Sequence, residues 1–439
     1  MRSSGGFATM VAISMTACAP AWADGPDSGR WTIIHAGTLL PEAGRPSLDR
    51  ASLILRDDRV ESVRAGFVSA SDLANVDPDR VTIIELGDKF VMAGLIDAHV
   101  HLGARSVAVA LAGARSKVME GSTTVRDAAS DASIIFPARE VIERGLAVGP
   151  RILASGEGIG TTGGHGDWIR NGNPAAAMQP PPYYSGICDG PDTCRAAARR
   201  QIQLGADQIK IVPTAGVGDD SNTGIGQQMT DGEIQAVVEA SHLMQRKVMA
   251  HAIGLTGIRA AARFGVDSIE HGNELDEETA KLMAAKGTYL VPTIYASYDI
   301  LRRIRAPGPT AGFPISQNTR DKMLALPEAQ PGGMCRQVRV AVKFGVKIGV
   351  GSDFGSARDE ARLLVELCGF TPDRALRAAT IDNAELLGIS TLAGSLSAGK
   401  SADVIAFAAD PRKDIAALTS PVFVMARGEV LKPATASRR

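Results

Sequence analysis

The chain has few aromatic residues, few cysteines and almost no net charge. Of its 439 residues, 4% are aromatic, and 47 basic residues nearly balance 48 acidic ones, which leaves a net charge of −1. Without a basic excess or an aromatic platform, there is no reason to expect binding of nucleic acid or of an anionic membrane surface. The five cysteines include no C-x-x-C pair, so a zinc site built from cysteines is not expected.

Long apolar runs are also missing, apart from one near the N-terminus. Residues 1–23 have the pattern of an export signal, with a basic residue near the start, an apolar middle and an A-x-A end. This pattern predicts a periplasmic or secreted protein. A lipobox-like segment at residues 15–18 offers an alternative, a lipoprotein anchored through Cys18. The apolar run is too short to span a bilayer, so no membrane association is expected beyond that anchor.

The rest of the chain is long enough for a barrel and a smaller domain. Residues 30–90 hold short β-branched runs broken by turn residues, which predicts a small β domain. Over residues 91–390, strand-like runs alternate with Ala-rich segments of helical period, and eight such units fit an α/β fold of the (β/α)8 TIM-like barrel class. An open doubly wound sheet is the alternative. Residues 391–435 return to short strands, so a β-sandwich domain built from both chain ends is expected.

The remaining cysteines and one proline-rich segment give further expectations. In an exported protein, Cys188 and Cys194 could close a small disulfide loop. Cys335 and Cys368 both lie in helix-like segments and are interpreted as buried thiols. The proline-rich residues 306–331 show little periodicity and are predicted to form a long loop or lid near the barrel mouth.

The first predicted barrel strand ends in a His-x-His pair. If the segment is a strand, alternation places His99 and His101 on the same face, where they form half of a metal site. Active sites of such barrels lie at the C-terminal ends of the strands. Other predicted strands also end in polar residues that we expect to join this pair: Lys210, His251, His271 and Asp353.

Each of these residues also has an ordinary structural interpretation. A histidine at a strand end is often only hydrogen-bonded, and Asp353 could simply cap the helix that follows. Lys210 is the unusual member, because burying an ammonium group in a barrel mouth is costly. It must be paired, have a lowered pKa or be chemically modified. Taken together, at the ends of five strands, the residues favour a functional site.

Three further residues are candidates for substrate binding. Residues 158–163 match G-x-G-x-x-G but precede a loop-like segment, which argues against a dinucleotide site. The glycines instead favour a mobile loop that brings His165 over the site, where it would act on the substrate carbonyl or carboxylate; the alternative is a histidine in solvent. Tyr295, just past the seventh strand, could bind substrate. Arg126 could bind a carboxylate, although adjacent Asp127 makes a structural ion pair equally plausible.

The motifs as a set resemble the amidohydrolase superfamily of metal-dependent hydrolases. Within it, the chain resembles the exported prolidase-like and Xaa-Arg/Lys dipeptidase branch, which includes ochratoxin-hydrolysing amidases. The superfamily resemblance is carried by Lys210 and by residues 93–101, 249–252, 269–272, 351–353 and 396–403. The resemblance to the branch is carried by residues 162–167, 188–192 and 206–211.

This resemblance implies two divalent metal ions, usually Zn, bridged by a carboxylated lysine and a hydroxide that attacks the substrate. The expected reaction is hydrolysis of an amide or peptide bond next to a C-terminal amino acid, in a dipeptide, an N-acyl amino acid or an aryl amide such as ochratoxin A. Asp353 would be the general base, and homo-oligomers up to octamers are expected. The implied metal ligands are His99, His101 and Asp353 for one ion, His251 and His271 for the other, and carboxylated Lys210 as the bridge.

Other functions remain open at this stage. A cyclic-amide hydrolase or deaminase resembling imidazolonepropionase would use one metal and no bridging lysine, so Lys210 argues against it. A lactonase or phosphotriesterase could use the same metals. A periplasmic binding protein with a structural metal would bind its ligand without turnover. The substrate side chain is not determined by the sequence.

Overall fold

The computed structural model describes residues 29–103, 105–167, 186–219, 224–306 and 315–434. The predicted export signal and Cys18 lie outside these ranges. Within them, the search for a helix of sufficient length and apolarity to cross a membrane finds none.

Strands from both ends of the chain form one small β domain, as the sequence predicts, and these strands lie in one mixed sheet and not in the two sheets of a sandwich. All neighbouring strands are antiparallel except the first and fourth, which run parallel. Their β-branched and leucine side chains, such as Ile34, Leu53 and Val404, are buried together on one face. From the chain start come β1 (Trp31–Leu40), β2 (Leu48–Arg56), β3 (Arg59–Ala65) and β4 (Val81–Ala93), and from the end β12 (Val404–Phe407), β13 (Phe423–Ala426) and β14 (Glu429–Lys432), in the order β14-β13-β12-β4-β1-β2-β3.

The barrel strands run parallel and lie in two sheets that further bridges join. The first sheet holds β5 (Leu95–Val100), β6 (Ser122–Asp127) and β7 (Arg151–Ala154), and the second holds β8 (Gln208–Ile211), β9 (Lys247–Ala252), β10 (Ser268–His271) and β11 (Tyr289–Val291).

An irregular extended segment over residues 346–353 takes the place of the eighth strand and closes the barrel. It bridges β11 through Leu290 and Ile348, and β5 through Val100 and Asp353. A bridge between Ile159 and Ile211 links the segment after β7 to β8. The predicted (β/α)8 barrel is therefore confirmed, and the open doubly wound sheet is excluded.

Helices follow the barrel strands, and many begin at a side-chain cap. Thr230 caps one of them in a capping box with Glu233, as expected from the Ser/Thr-x-x-Glu pattern. The helices are α1 (Val107–Met119), α2 (Ala132–Glu143), α3 (Pro191–Leu204), α4 (Asp231–Leu243), α5 (Leu255–Phe264), α6 (Glu277–Lys286), α7 (Ile294–Arg305), α8 (Gln317–Ala325), α9 (Arg336–Lys343), α10 (Ala357–Glu366), α11 (Pro372–Arg377) and α12 (Asn383–Leu386).

The stretch that carries the His-x-His pair is divided between the two domains. Strand β4 ends at Ala93 in the mixed sheet, and β5 begins at Leu95 in the barrel. The glycine between them allows close packing, because a Cβ added at Gly94 would lie 2.1 Å from Oγ1 of Thr123 on the next barrel strand. His101 lies just beyond the end of β5, at the barrel mouth.

Two expectations about the later part of the chain are corrected. Residues 306–331 are not a continuous loop, because α8 (Gln317–Ala325) lies within them, while residues 307–314 fall outside the described ranges. Cys335 and Cys368 are not thiols but a disulfide, with Cα atoms 5.3 Å apart. The partners lie at the start of α9 and just past the end of α10, which meet only in the folded barrel. The local disulfide between Cys188 and Cys194 is present as expected.

Candidate active site

Four histidines and an aspartate from the strand ends converge at the barrel mouth. Nε2 of His99 lies 3.3 Å from Nε2 of His101, and Oδ1 of Asp353 lies 3.5 Å from the latter atom. The ring centroid of His271 is 5.2 Å from that of His99 and 4.6 Å from that of His251. Potential ligand atoms of His99, His271 and Asp353 all lie within 4.8 Å of one another. The structure thus brings together the residues that the sequence singles out.

Hydrogen bonds at the other ring nitrogen set the tautomers of the first two histidines. Nδ1 of His99 lies 2.7 Å from Oε2 of Glu270, and Nδ1 of His101 lies 2.8 Å from the carbonyl oxygen of Ala129. A carbonyl or carboxylate oxygen can only accept, so each Nδ1 carries the hydrogen. Both Nε2 atoms therefore present lone pairs toward each other and toward the site.

The same arrangement holds for His271. Its Nδ1 lies 2.7 Å from Oγ1 of Thr293, and that hydroxyl already donates to the carbonyl oxygen of Pro292 at 2.8 Å. The hydroxyl must then accept from Nδ1–H, which leaves the Nε2 lone pair of His271 pointing into the site. A histidine ligand held at Nδ1 by an acceptor is the usual arrangement around protein-bound metals.

The histidine rings and Asp353 direct mainly acceptors into the site, which fits a metal cation. Burial lowers the pKa of His99, His251 and His271 well below the ordinary value, so these rings are neutral near pH 7. Among the described residues, neither Nε2 of His251 nor Oδ1 of Asp353 has a hydrogen-bond partner, although both atoms are buried. Converging lone pairs without a proton between them repel unless a cation lies among them. Imidazole nitrogens and carboxylate oxygens are the donor set that zinc and similar ions take.

Lys210 on β8 lies in this cluster with its side chain almost fully buried. The residue is 3% exposed, and burial lowers its pKa from 10.5 to about 8, although Glu270 and Asp353 act in the opposite direction. Within the described ranges, its ammonium makes no hydrogen bond or ion pair. Of the three possibilities that the sequence leaves for a buried lysine, pairing is therefore excluded within the described residues, and burial lowers the pKa of the side chain.

Comparison with known proteins now places this geometry in a family. Residues 90–432 match the model of the amidohydrolase family. The chain belongs to the amidohydrolase family. It is 30% identical to the ochratoxinase of Aspergillus niger over 430 residues, which cover 90% of this chain and 85% of that protein. The predicted resemblance to this superfamily is confirmed, and with it the assignment as a hydrolase.

Solved structures support the same placement. A Xaa-Pro dipeptidase with methionine bound in its active site superimposes with a TM-score of 0.82 and 31% identity, covering 92% of this chain and 100% of that one. A prolidase complexed with N-methylphosphonate-L-proline gives a TM-score of 0.79 and 28% identity, with the same coverage. The predicted resemblance to the prolidase-like and ochratoxin-hydrolysing branch of the superfamily is therefore confirmed.

The structure corrects the expectation that Arg126 binds substrate. Its guanidinium is 2% exposed and donates to Oε1 of Glu270 at 2.7 Å, to Oγ of Ser268 at 3.1 Å and to the carbonyl oxygen of Ala98. Its carboxylate partner is Glu270 and not the adjacent Asp127. Because Glu270 also holds His99, Arg126 neutralises the carboxylate that orients a candidate ligand of this amidohydrolase.

Glu270 itself is a residue that the sequence reasoning missed. Its side chain is fully buried, and its two oxygens accept from Arg126 and from His99. Glu270 lies in the Ile-Glu-His-Gly motif, one position before His271. Because neighbouring residues of a strand point to opposite faces, the alternation predicts that Glu270 points away from the site. Only the closed barrel shows that this face points at His99.

A second buried carboxylate supports the backbone that carries Asp353. Asp353 has a positive φ of 60°, which is costly for a residue other than glycine. Just before it, Ser352 donates from its backbone N–H and from its hydroxyl to Asp97, at 2.9 and 2.6 Å. Lys117 from α1 donates to the Ser352 hydroxyl at 3.1 Å and also to the carbonyl oxygen of Gly355. These bonds hold the turn in place, and neither Asp97 nor Lys117 was predicted as a site residue.

The pKa of the Asp353 carboxyl is raised by its burial. The nearby His101 and Lys210 act in the opposite direction but do not reverse the shift. A carboxylate whose pKa is raised accepts a proton more readily than an ordinary aspartate does. This environment suits the predicted general base.

The two remaining predicted substrate residues lie at the rim of the site. The ring of His165 is 4.5 Å from that of His251 and its side chain is 26% exposed, so the loop does carry it beside the cluster and not into open solvent. Tyr295 lies in the first turn of α7, where its ring packs against Gly355. The role of each in substrate binding stays a prediction.

The start of α7 depends on a buried glutamate from another helix. Glu360 on α10 accepts the backbone N–H groups of Ile294 and Tyr295 at 2.8 and 2.7 Å, because Thr293 provides no side-chain cap. Burial raises the pKa of Glu360 to about 8. Glu360 thereby holds the turn that contains both Thr293, the partner of His271, and Tyr295.

Proposed function

We propose that this amidohydrolase cleaves an amide or peptide bond next to a C-terminal amino acid, in a dipeptide, an N-acyl amino acid or an aryl amide of the ochratoxin A type. The observation that carries the proposal is the convergence of four histidines and Asp353, with buried atoms that lack hydrogen-bond partners, around a buried lysine. The similar proteins named ochratoxinase, Xaa-Pro dipeptidase and prolidase support this substrate class.

The cluster would hold two divalent ions, usually Zn, which when bound polarise the substrate carbonyl and lower the pKa of water. We assign His99, His101 and Asp353 to one ion and His251 and His271 to the other. The fixed Nδ1–H tautomers of His99, His101 and His271 support this assignment, because they leave the Nε2 lone pairs available.

Lys210 would bridge the two ions after carboxylation. A pKa of about 8 leaves an appreciable neutral fraction at neutral pH, and the neutral amine is the form that attacks carbon dioxide. A bond forms between Nζ and the carbon of carbon dioxide as one C=O π bond opens to an oxyanion, and the nitrogen releases a proton to solvent, which gives a carbamate anion. This change would replace a buried, unpaired ammonium by an oxygen ligand, which removes the desolvation penalty that Lys210 otherwise carries.

The remaining steps belong to side chains of the chain itself. Asp353 would take a proton from the attacking water and return it to the leaving amine. His165, beside His251, would hold the substrate carbonyl or carboxylate. Tyr295, which packs against Gly355, would contact the rest of the substrate.

The test of the proposed metal centre combines metal analysis with hydrolysis. Lys210→Ala should lose bound metal and lose cleavage of N-acyl amino acids, dipeptides and ochratoxin A, measured as amine release. Lys343→Ala is the matched control, because Lys343 is exposed and contacts Glu277 and the ring of Phe344 at the surface. Full metal occupancy and activity in Lys210→Ala would refute the bridging lysine. A wild-type protein that cleaves none of these substrates would refute the amide-hydrolase proposal.

We also propose that the protein is exported. The two disulfides, Cys188–Cys194 and Cys335–Cys368, support an oxidising compartment, because such bonds rarely persist in a reducing cytosol. Cell fractionation of the full chain tests this, and Cys18→Ala distinguishes a lipid anchor from soluble export. Recovery of the protein only in the cytosol would contradict the proposal.

A further inference from the structure

We infer that Asp219 and Lys322 are positioning residues that hold His165 in place over the candidate metal cluster. The inference rests on the proposed function, since it takes His165 as a group that acts on substrate. Three segments that are distant in the chain meet here: the loop of His165, the loop after β8 that carries Asp219, and α8, which carries Lys322.

The ion pair between Asp219 and Lys322 is buried. Lys322 is 9% exposed and Asp219 is 4% exposed, and Nζ of Lys322 lies 2.6 Å from Oδ1 of Asp219. The same ammonium donates to the carbonyl oxygens of Asp219 and Gly216, at 2.8 and 3.3 Å. Removing one partner of such a pair leaves a buried charge uncompensated, so α8 and the loop after β8 are held together.

The second oxygen of the same carboxylate holds the histidine. Oδ2 of Asp219 lies 3.0 Å from Nδ1 of His165, which is an ion-pair contact and not an aligned hydrogen bond, and it accepts the backbone N–H of Gly216 at 2.9 Å. The ring fits against this loop only because residue 216 is a glycine, since an added Cβ would lie 2.2 Å from Cε1 of His165. Asp219 therefore fixes the orientation of the His165 ring, and Lys322 fixes the orientation of Asp219.

In the part of the chain that the structure describes, Asp219 and Lys322 are connected to the proposed metal ligands only through His165. Neither Asp219 nor Lys322 belongs to the proposed ligand set, and His165 makes the only ring contact between the trio and that set within the described residues, at 4.5 Å from His251. Replacing either positioning residue should leave metal binding intact and act on turnover through His165. A merely structural pair would instead lower stability, whether or not His165 is present.

The experiment is a double-mutant cycle on the metal-loaded full chain. Asp219→Asn and Lys322→Met should each lower kcat/KM about 10- to 100-fold, with the loss in the same parameter, kcat or KM, that His165→Ala affects. In the His165→Ala background, either replacement should cost less than about 2-fold more, because a residue that acts through His165 has nothing left to act on. Metal content should equal that of the wild type in every variant.

Lys343→Met is the control, an exposed lysine whose replacement should change kcat/KM by less than about 2-fold. Losses that multiply with that of His165→Ala, or that accompany lost metal, would overturn the inference. If Asp219→Asn does not fold, Lys322→Met carries the same cycle alone. A wild-type protein without any amidase activity counts against the proposed function, whereas an active wild type with multiplying losses counts only against this inference.

Discussion

The two sides of the candidate active site are built in different ways. On the metal side, His99 and His271 belong to barrel strands, and His101 follows one directly, so backbone hydrogen bonds set their positions. On the proposed substrate side, His165 lies on a loop, and the carboxylate of Asp219 from another loop lies 3.0 Å from its Nδ1. The comparison teaches that regular backbone structure can position ligands, whereas a loop residue needs dedicated side-chain partners to reach comparable precision.

The largest effect is expected from a replacement on the metal side of the site. Glu270→Gln should destabilise the protein by about 3–5 kcal/mol, because it leaves the buried guanidinium of Arg126 without its carboxylate. It should also lower metal content, because the amide has one acceptor oxygen and cannot accept from both Arg126 and Nδ1 of His99. Denaturant unfolding and metal analysis check both results. Glu277→Gln, at an exposed ion pair, is the matched control and should stay within about 1 kcal/mol. Equal effects of the two replacements would contradict the assigned role of Glu270.

The next largest effect is expected from a replacement on the proposed substrate side alone. His165→Ala should lower kcat/KM by about 100-fold while metal content and unfolding midpoint stay at the wild-type values, because the ring is not a proposed ligand. Steady-state kinetics together with metal analysis measure the difference. Metal loss in this variant would mean that the two sides are not separable.

A smaller effect is expected when a hydrogen-bond partner of a metal-side histidine is replaced. Thr293→Val keeps the side-chain shape and removes the hydroxyl that accepts from Nδ1 of His271. Metal affinity should fall about 10- to 100-fold, as is typical when the partner of a ligating histidine is lost. Competition with a metal chelator gives the affinity. Thr38→Val, which removes a hydroxyl bonded to Asp49 in the mixed sheet, should leave the affinity unchanged.

The last prediction concerns pH and the turn that links the two sides. The pKa of Glu360 is raised from 4.5 to about 8 in the folded protein, so the folded state favours its protonated form. The stability that the protonated Glu360 side chain contributes is fully present below the pKa of this glutamate in the unfolded chain, and it is lost as pH rises toward about 8. The stability of the wild type relative to Glu360→Gln should therefore fall between pH 5 and pH 8.

Denaturant unfolding at several pH values measures this difference. Glu366→Gln, at a partly exposed position of the same helix, is the control and should show no such trend. A wild-type advantage that does not change with pH would contradict a raised pKa at Glu360.

The fold and the candidate ligands were largely predictable from the sequence. Alternating apolar strands that end in His99, His251 or His271 already imply parallel strands with their polar ends at one edge. The predictions failed where a partner is distant in the chain. Cys335 and Cys368 are 33 positions apart, and each lies beside a helix that looks complete by itself. Arg126 was misread because its neighbour Asp127 suggested a local ion pair, whereas Glu270, from another strand, is its partner.

By itself, the sequence determined which residues would line the barrel mouth. Strand periodicity and the order of βα units are local properties of the sequence. In a closed barrel they are sufficient to place strand-end residues such as His99 and Lys210 at the mouth. Only the tertiary structure decided what holds these residues: Glu270 behind His99, Thr293 behind His271, and Asp219 with Lys322 behind His165. These partners meet across the barrel or between loops, and no local pattern encodes a buried hydrogen bond between segments more than twenty residues apart.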